Sequence, residues 1–138
     1  MIVLDTNVIS ELMRATPAAV VVRWVNARQA TSLYVTSITQ AEILHGIQLL
    51  PRGKRRDAIA AAAAEVFDQD FAGRVLPFGS DAAVAYAGIA VARRRAGRPI
   101  SGFDAQIAAI ASTHGADLAT RNVADFDGCG LDVIDPWR

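Results

Sequence analysis

Short apolar runs alternate with longer helix-forming segments along the chain, and this alternation restricts the fold more than any other feature. The runs are Ile2–Leu4, Leu33–Val35, Val75–Phe78, Leu118–Thr120 and Val133–Ile134. Such short, almost wholly apolar runs are typical of strands buried on both faces. Because strands that alternate with helices form parallel sheets covered on both faces, we predict an α/β fold of three layers. Its mostly parallel central sheet should have about four to five strands flanked by helices.

Six segments between these runs have the composition and end signals of helices. They are Thr6–Met13, Ala18–Arg28, Ser37–Leu50, Gly53–Phe67, Ser80–Gly97 and Ser101–His114. Ser37 and Ser80 are expected N-caps, and Gly115 is an expected C-terminal stop. The chain has 138 residues and contains no linker or repeat. We therefore expect a single domain over residues 1–138.

Charge and cysteine content exclude several classes of protein. Cys129 is the only cysteine, which excludes an internal disulfide and a multi-cysteine zinc site. The N-terminus has no signal-peptide pattern, and the charge-free stretches, Ala82–Ala92 among them, are all too short to span a membrane. We therefore expect a cytoplasmic protein with no membrane contact. The net charge is zero, so a nucleic acid would have to bind to a local basic cluster, at 52–56 or at 93–98. The alternative is that these clusters are only solvated helix ends.

Acidic and amide side chains follow the predicted strands where the carboxyl ends of those strands would meet. Asp5 follows the first strand, Glu42 and Asp104 lie early in two helices, and Asn122 and Asp125 follow the Leu118 strand. Sites in open parallel sheets form at this edge. Carboxylates gathered there repel one another, and a divalent cation relieves the repulsion. Hard oxygen ligands suit Mg²⁺, with Mn²⁺ as an alternative.

Each of these residues also has a purely structural explanation. Asp5 could cap the first helix, and Ser101 with Asp104 fits a capping box. Turn chemistry is the default explanation for the two loop residues. Glu42 is harder to explain in this way, because on a helix it shares an apolar face with Ile38. The joint placement at one edge is therefore the evidence for a site.

Four segments of the sequence resemble the PIN domain, specifically that of VapC-type toxins. They are Ile2–Ser10, Ser37–Gly46, Asp104–Ala109 and Ala119–Phe126, and Asp135–Trp137 is similar to the family's ending. The four segments occur in order and span the chain.

The resemblance implies that Asp5, Glu42 and Asp104 bind Mg²⁺ and form the catalytic centre of an endoribonuclease specific for single-stranded or loop RNA. It also implies a homodimer and a cognate antitoxin that blocks the site. Some relatives carry an aspartate where this chain has Asn122, so the fourth ligand is open. We predict that Asp125 takes this role together with Asn122, because a neutral amide cannot add charge.

The residues beside the first acid have an expected supporting role. Thr6 and Asn7 are predicted to orient Asp5, with helix capping as the alternative. The chain has only His45 and His114, too few and too scattered for a histidine-pair nuclease. We therefore predict attack by a metal-activated water, which leaves 5′-phosphate and 3′-hydroxyl ends. The helix at 82–92 carries small residues that would let a second copy of the chain approach closely.

Two other functions fit parts of the sequence. A haloacid-dehalogenase-like phosphatase also begins with an apolar strand that ends in aspartate. It needs a second aspartate two residues on, where this chain has Asn7. The other alternative is a non-catalytic PIN-like module that binds RNA or a partner. The presence of all three acids argues against that reading.

Overall fold

The computed structural model describes residues 1–138 and contains one sheet of five strands. The strands are β1 (Ile2–Leu4), β2 (Leu33–Thr36), β3 (Val75–Leu76), β4 (Asp117–Ala119) and β5 (Val133–Ile134). Their order is β3-β2-β1-β4-β5, and every neighbouring pair is parallel. The predicted α/β fold with a parallel central sheet is confirmed. Because β1 is the central strand, the residue that follows it lies in the middle of the carboxyl edge.

The six predicted helices are all present. They are α1 (Thr6–Leu12), α2 (Ala19–Asn26), α3 (Ser37–Gln48), α4 (Lys54–Glu65), α5 (Ser80–Arg95) and α6 (Gly102–Thr113). A π-helical turn follows α4 at Val66–Asp70, and 3₁₀ turns lie at Ala30–Ser32 and Val123–Phe126. None of these helices is long and apolar enough to cross a membrane.

Two predicted helix caps are wrong by one residue. The N-cap of α3 is Thr36, whose hydroxyl accepts the Thr39 N–H at 3.1 Å. A threonine suits both the end of a strand and a cap, so the chain turns one residue earlier than predicted. Ser37 instead accepts a hydrogen bond from the Phe78 N–H. Likewise, α5 begins after Gly79, and Ser80 is its first residue.

Helices cover both faces of the sheet. The adjacent residues Val3 and Leu4 are both fully buried, although they point to opposite faces. Leu4 belongs to the core cluster formed with the helices α1–α4, whereas Val3 belongs to the cluster formed with α6. The β1 strand is thus apolar in consecutive positions because neither of its faces meets water.

Arg93, in the last turn of α5, is not part of a solvated basic cluster. Its side chain is 7% exposed, and its Nη1 donates to the carbonyls of Asp125 and Asp127 at 2.7 Å. Its Nε donates to the carbonyl of Arg98. Burying an arginine is costly unless its donors are satisfied, and these carbonyls satisfy them. Arg93 therefore joins the end of α5 to the turn at Val123–Phe126 and is not free to contact phosphate.

Candidate active site at the carboxyl edge of the sheet

Asp5 lies at the carboxyl end of β1 and is held by hydrogen bonds on both carboxylate oxygens. Oδ1 accepts the Thr6 N–H at 2.8 Å, so Asp5 caps α1. Oδ2 accepts the Thr120 hydroxyl at 2.7 Å and the Asn7 amide at 3.3 Å. Asp5 therefore caps α1, and capping does not exclude a role in a site, since the same residue lines a cavity with the other acids.

The environment of Asp5 disfavours its charge. Burial raises the pKa of this carboxyl from 3.8 to about 6, against the opposing effect of the hydrogen bonds from Thr120 and Thr6. The negative charges of Asp104 and Glu42 raise the pKa further. A carboxyl whose pKa is raised by burial and by like charges is typical of a functional site.

A chain of hydroxyl groups holds Glu42, which is half-buried on α3. The Thr6 hydroxyl donates to Glu42 Oε1 at 2.8 Å, and the Oγ1 atoms of Thr6 and Thr39 are 2.9 Å apart. Thr6 has a single hydroxyl proton, so Thr39 is the donor to Thr6. Burial raises the pKa of Glu42, the Thr6 hydrogen bond lowers it, and the charge of Asp104 raises it.

Asp104 lies in the first turn of α6, where Ser101 is the N-cap as predicted. The Ser101 hydroxyl accepts the Asp104 N–H at 3.2 Å, and the Asp104 carboxylate lines the cavity. The pKa of Asp104 is raised mainly by burial and also by the charge of Asp125. Ser101 and Arg93 lower it.

The three acids surround one open cavity of about 530 Å³. Its lining is almost entirely polar and consists of Asp5, Thr6, Asn7, Ser10, Glu11, Arg14, Glu42, Asp104, Arg121, Asn122 and Trp137. The structure thus brings together Asp5, Glu42, Asp104 and Asn122, together with the predicted supporting residues Thr6 and Asn7.

Asp125 lies outside this cavity. It is exposed in the turn at Val123–Phe126, which Phe126 anchors in the core, and with Asn122 it lines a neighbouring cavity of about 800 Å³. Its charge still reaches Asp104, whose pKa it raises. Its carboxylate makes no hydrogen bond within the turn, so it is not a cap. Of the two residues, Asn122 lines the acidic cavity and Asp125 does not, so the role of Asp125 as the fourth ligand stays a prediction.

Sequence reasoning missed the residue that holds Asp5 most closely. Thr120 is fully buried, donates to Asp5, and accepts from the Asn7 amide and the Asn122 N–H at 3.1 Å each. The sequence carries no local signal for Thr120. It is the strand register that places it, because Leu4 pairs with Ala119 and the residues that follow them are Asp5 and Thr120. Arg121 and Trp137 at the rim of the cavity were also missed.

The donor set of the cavity fits a hard divalent cation. All three acids offer oxygen. Burial is the main cause of their raised pKa values and like charges raise them further, so a cation would stabilise the charged carboxylates. The side chains stand apart, since no three His, Cys, Asp or Glu residues are close enough to hold one ion directly. Mg²⁺ usually keeps several water ligands, which is compatible with this spacing.

The PIN domain model matches residues 2–127. The chain is 43% identical over 138 residues to the VapC ribonuclease Y4jK of Sinorhizobium fredii, and the alignment covers 100% of this chain and 99% of that protein. It is 37% identical over 138 residues to toxin FitB of Neisseria gonorrhoeae, with the same coverage. A chain in the crystal structure of FitAcB from N. gonorrhoeae has a TM-score of 0.93, covering 100% of this chain and 99% of that one.

The fold and the site define a small α/β protein with an acidic, oxygen-rich cavity at the carboxyl edge of a parallel sheet. The chain belongs to the PIN-domain family, in the group of VapC- and FitB-type toxins. The family match removes the haloacid-dehalogenase-like alternative.

Proposed function

We propose that this protein is a Mg²⁺-dependent endoribonuclease that acts as the toxin of a toxin–antitoxin pair and cleaves single-stranded or loop RNA. The observation that carries the proposal is the convergence of Asp5, Glu42 and Asp104 on one cavity, with the pKa of each raised. The names of the relatives agree, because one is a ribonuclease and another a toxin.

The three acids would hold the cation, and the polar residues around them keep each carboxylate in place. Bound Mg²⁺, or Mn²⁺, would supply Lewis acidity at the scissile phosphate and offset the charge of the acids. Thr120 and Asn7 fix the Asp5 carboxylate, and Thr6 fixes that of Glu42. Attack by water leaves 5′-phosphate and 3′-hydroxyl ends. The histidine route through the 2′-hydroxyl has no candidates here, because neither His45 nor His114 lines the cavity.

The proposal is tested by incubating the purified protein with single-stranded RNA and identifying the ends produced. We expect cleavage that requires Mg²⁺ or Mn²⁺, stops in EDTA and yields 5′-phosphates. Asp5→Asn, Glu42→Gln and Asp104→Asn should each abolish it. The control is Asp68→Asn, an exposed aspartate whose side chain makes no hydrogen bond or ion pair. Cyclic 2′,3′-phosphate products or full activity in EDTA would refute the mechanism, and a folded protein that binds RNA without cutting it would favour the non-catalytic alternative.

The antitoxin would dock in a groove beside the acids. The groove, of about 780 Å³, lies between α1, α3 and α4, and its lining includes Ile43, Ile47 and Ile59. It shares Thr6 and Glu42 with the acidic cavity, so the two form a continuous surface. An apolar helix face in the groove with a basic side chain toward the acids would match this surface in both polarity and charge.

The docking of the antitoxin can be separated from catalysis by two alanines of α4. Ala58 lines the groove, whereas Ala60 is exposed elsewhere on the helix. We expect Ala58→Glu to cleave RNA normally but to resist inhibition by the cognate antitoxin. Ala60→Glu should be inhibited like the unmodified protein. Equal inhibition of both variants would place the antitoxin elsewhere.

A second copy of the chain would pack on α5. One face of this helix packs on α6 through Ala82, Ala85 and Ile89. The opposite face leaves Val84 and Val91 exposed at 76% and 45%, with exposed small residues between them. Burying such an apolar face is favourable, and the small residues permit close approach of a symmetric helix. The homodimer suggested by the sequence therefore has a suitable surface.

A further inference from the structure

Arg121 is a cation without an anionic partner at the rim of the acidic cavity. Its backbone N–H donates to Asn7 Oδ1 at 3.2 Å, but its guanidinium makes no hydrogen bond and no ion pair. The guanidinium instead lies over the ring of Trp137, with Cζ 5.0 Å from the ring centroid. The side chain of Arg121 is exposed, so its N–H groups face solvent.

The surroundings of Arg121 set it apart from the other arginine of the cavity. Arg14 also lines the cavity but is paired with Glu11 at 3.4 Å. Arg121 is therefore the only lining cation that no carboxylate neutralises. It also lines the neighbouring cavity, and Arg121 and Asn122 are the residues common to the two.

We propose that Arg121, stacked on Trp137, binds a phosphate of the RNA strand next to the bond that is cleaved. This inference rests on the proposed ribonuclease function. An RNA strand must bring its anionic backbone to a cavity lined by carboxylates, and a guanidinium can bind phosphate with two parallel N–H groups. Stacking uses the face of the guanidinium and leaves these edges free.

Trp137 acts in this arrangement as a positioning residue. Its ring is half-buried against the core, its backbone N–H donates to Asp135 Oδ1 at 2.9 Å, and the preceding Pro136 is buried. The ring is therefore a fixed platform. Holding the guanidinium on it reduces the side-chain entropy that binding would otherwise cost.

The experiment measures the binding of a short fluorescein-labelled single-stranded RNA by anisotropy, over a series of KCl concentrations. It uses the Asp104→Asn protein with Mg²⁺, which is expected to bind without cutting. We expect Arg121→Ala to weaken binding about tenfold or more. It should also reduce the slope of log K against log salt by about 0.7, the value for one phosphate contact on a single strand. Arg121→Lys should restore the slope, because it keeps the charge.

The matched control is Arg28→Ala, because Arg28 also lies over a tryptophan, Trp24, with its Cζ 3.6 Å from the ring centroid. Trp24 lies on α2 and Arg28 follows the end of this helix, and neither lines the acidic cavity. The slope of log K against log salt should therefore not change. Trp137→Leu should weaken binding while keeping the slope, since the charge remains. Its melting temperature is measured alongside to separate unfolding from loss of binding.

Two negative results have different meanings. Suppose that Arg121→Ala and Arg28→Ala give equal slopes, while the protein with Asp104 intact cleaves RNA. This result would overturn the role of Arg121 and leave the proposed function intact. If the protein neither cleaves RNA with Asp104 in place nor binds it as Asp104→Asn, both the role of Arg121 and the proposed function fail.

Discussion

The raised pKa of Asp5 makes a quantitative prediction about stability in the absence of metal. The pKa lies near 6 in the folded protein against 3.8 as the ordinary value, and each unit is worth about 1.4 kcal/mol. At neutral pH the charged Asp5 therefore costs the metal-free fold about 3 kcal/mol. Because the folded pKa is the higher one, protonation stabilises the fold at low pH, and this stabilisation is lost as the pH rises through 6.

The variant Asp5→Asn removes this pH dependence. The side-chain oxygen of asparagine can still accept the Thr6 N–H. Its NH₂ group, however, would face the donors of Thr120 and Asn7, and each hydrogen bond lost costs about 1 kcal/mol. That cost does not vary with pH. Relative to the unmodified protein, the variant should thus gain about 2 kcal/mol between about pH 4.5 and pH 7.5.

Thermal unfolding followed by circular dichroism in EDTA at the two pH values measures this gain. The difference in melting temperature between variant and unmodified protein should move by roughly 8 °C in favour of the variant at the higher pH. Asp68→Asn should show no such movement. A difference that is the same at both pH values would refute the reasoning, because it would mean that the buried carboxylate carries no electrostatic cost.

Three further predictions concern the site and the surface. Thr120→Val removes a hydrogen bond that lowers the pKa of Asp5, so the acidic limb of the pH–rate profile should move to higher pH; an unchanged profile would contradict this. Asp125→Asn should lower cleavage at limiting Mg²⁺ with partial rescue at high Mg²⁺, and the prediction is wrong if only Asn122→Ala alters the metal dependence. Ala87→Glu, on the exposed face of α5, should yield monomers in light scattering, whereas a monomeric unmodified protein would rule out the dimer.

The elements of the fold could be predicted because each depends on local pattern. The run Ile2–Leu4 is apolar in consecutive positions, which marks a strand buried on both faces, and Asp5 directly after it marks the edge. Ser101 could be recognised as a cap from its own segment. Asp5 and Glu42 could be placed together because parallel strands bring their carboxyl ends to one edge, whereas Asp104 lies at the start of α6 and follows a helix.

The features that could not be predicted depend on distant contacts. Arg93 is in sequence one of a run of arginines, and only the carbonyls of a turn more than thirty residues away make its burial favourable. Thr120 has no local signal of its own, since its partner Asp5 is 115 residues distant. The orientation of Asp125 depends on how the 3₁₀ turn is anchored by Phe126, which a spacing of three residues does not determine.

The central position of β1 has a consequence for the order in which the molecule can be made. Within residues 1–138, β1 is made before both strands that flank it, β2 and β4, and its pairing with β4 needs residues up to Ala119. Contacts between such distant parts of a chain form slowly, because a long loop must close first. A nascent chain that has not yet reached β4 lacks the second neighbour of β1 and also the Thr120 hydroxyl that holds Asp5. The acidic cavity therefore cannot be complete until β4 and Thr120 have been made.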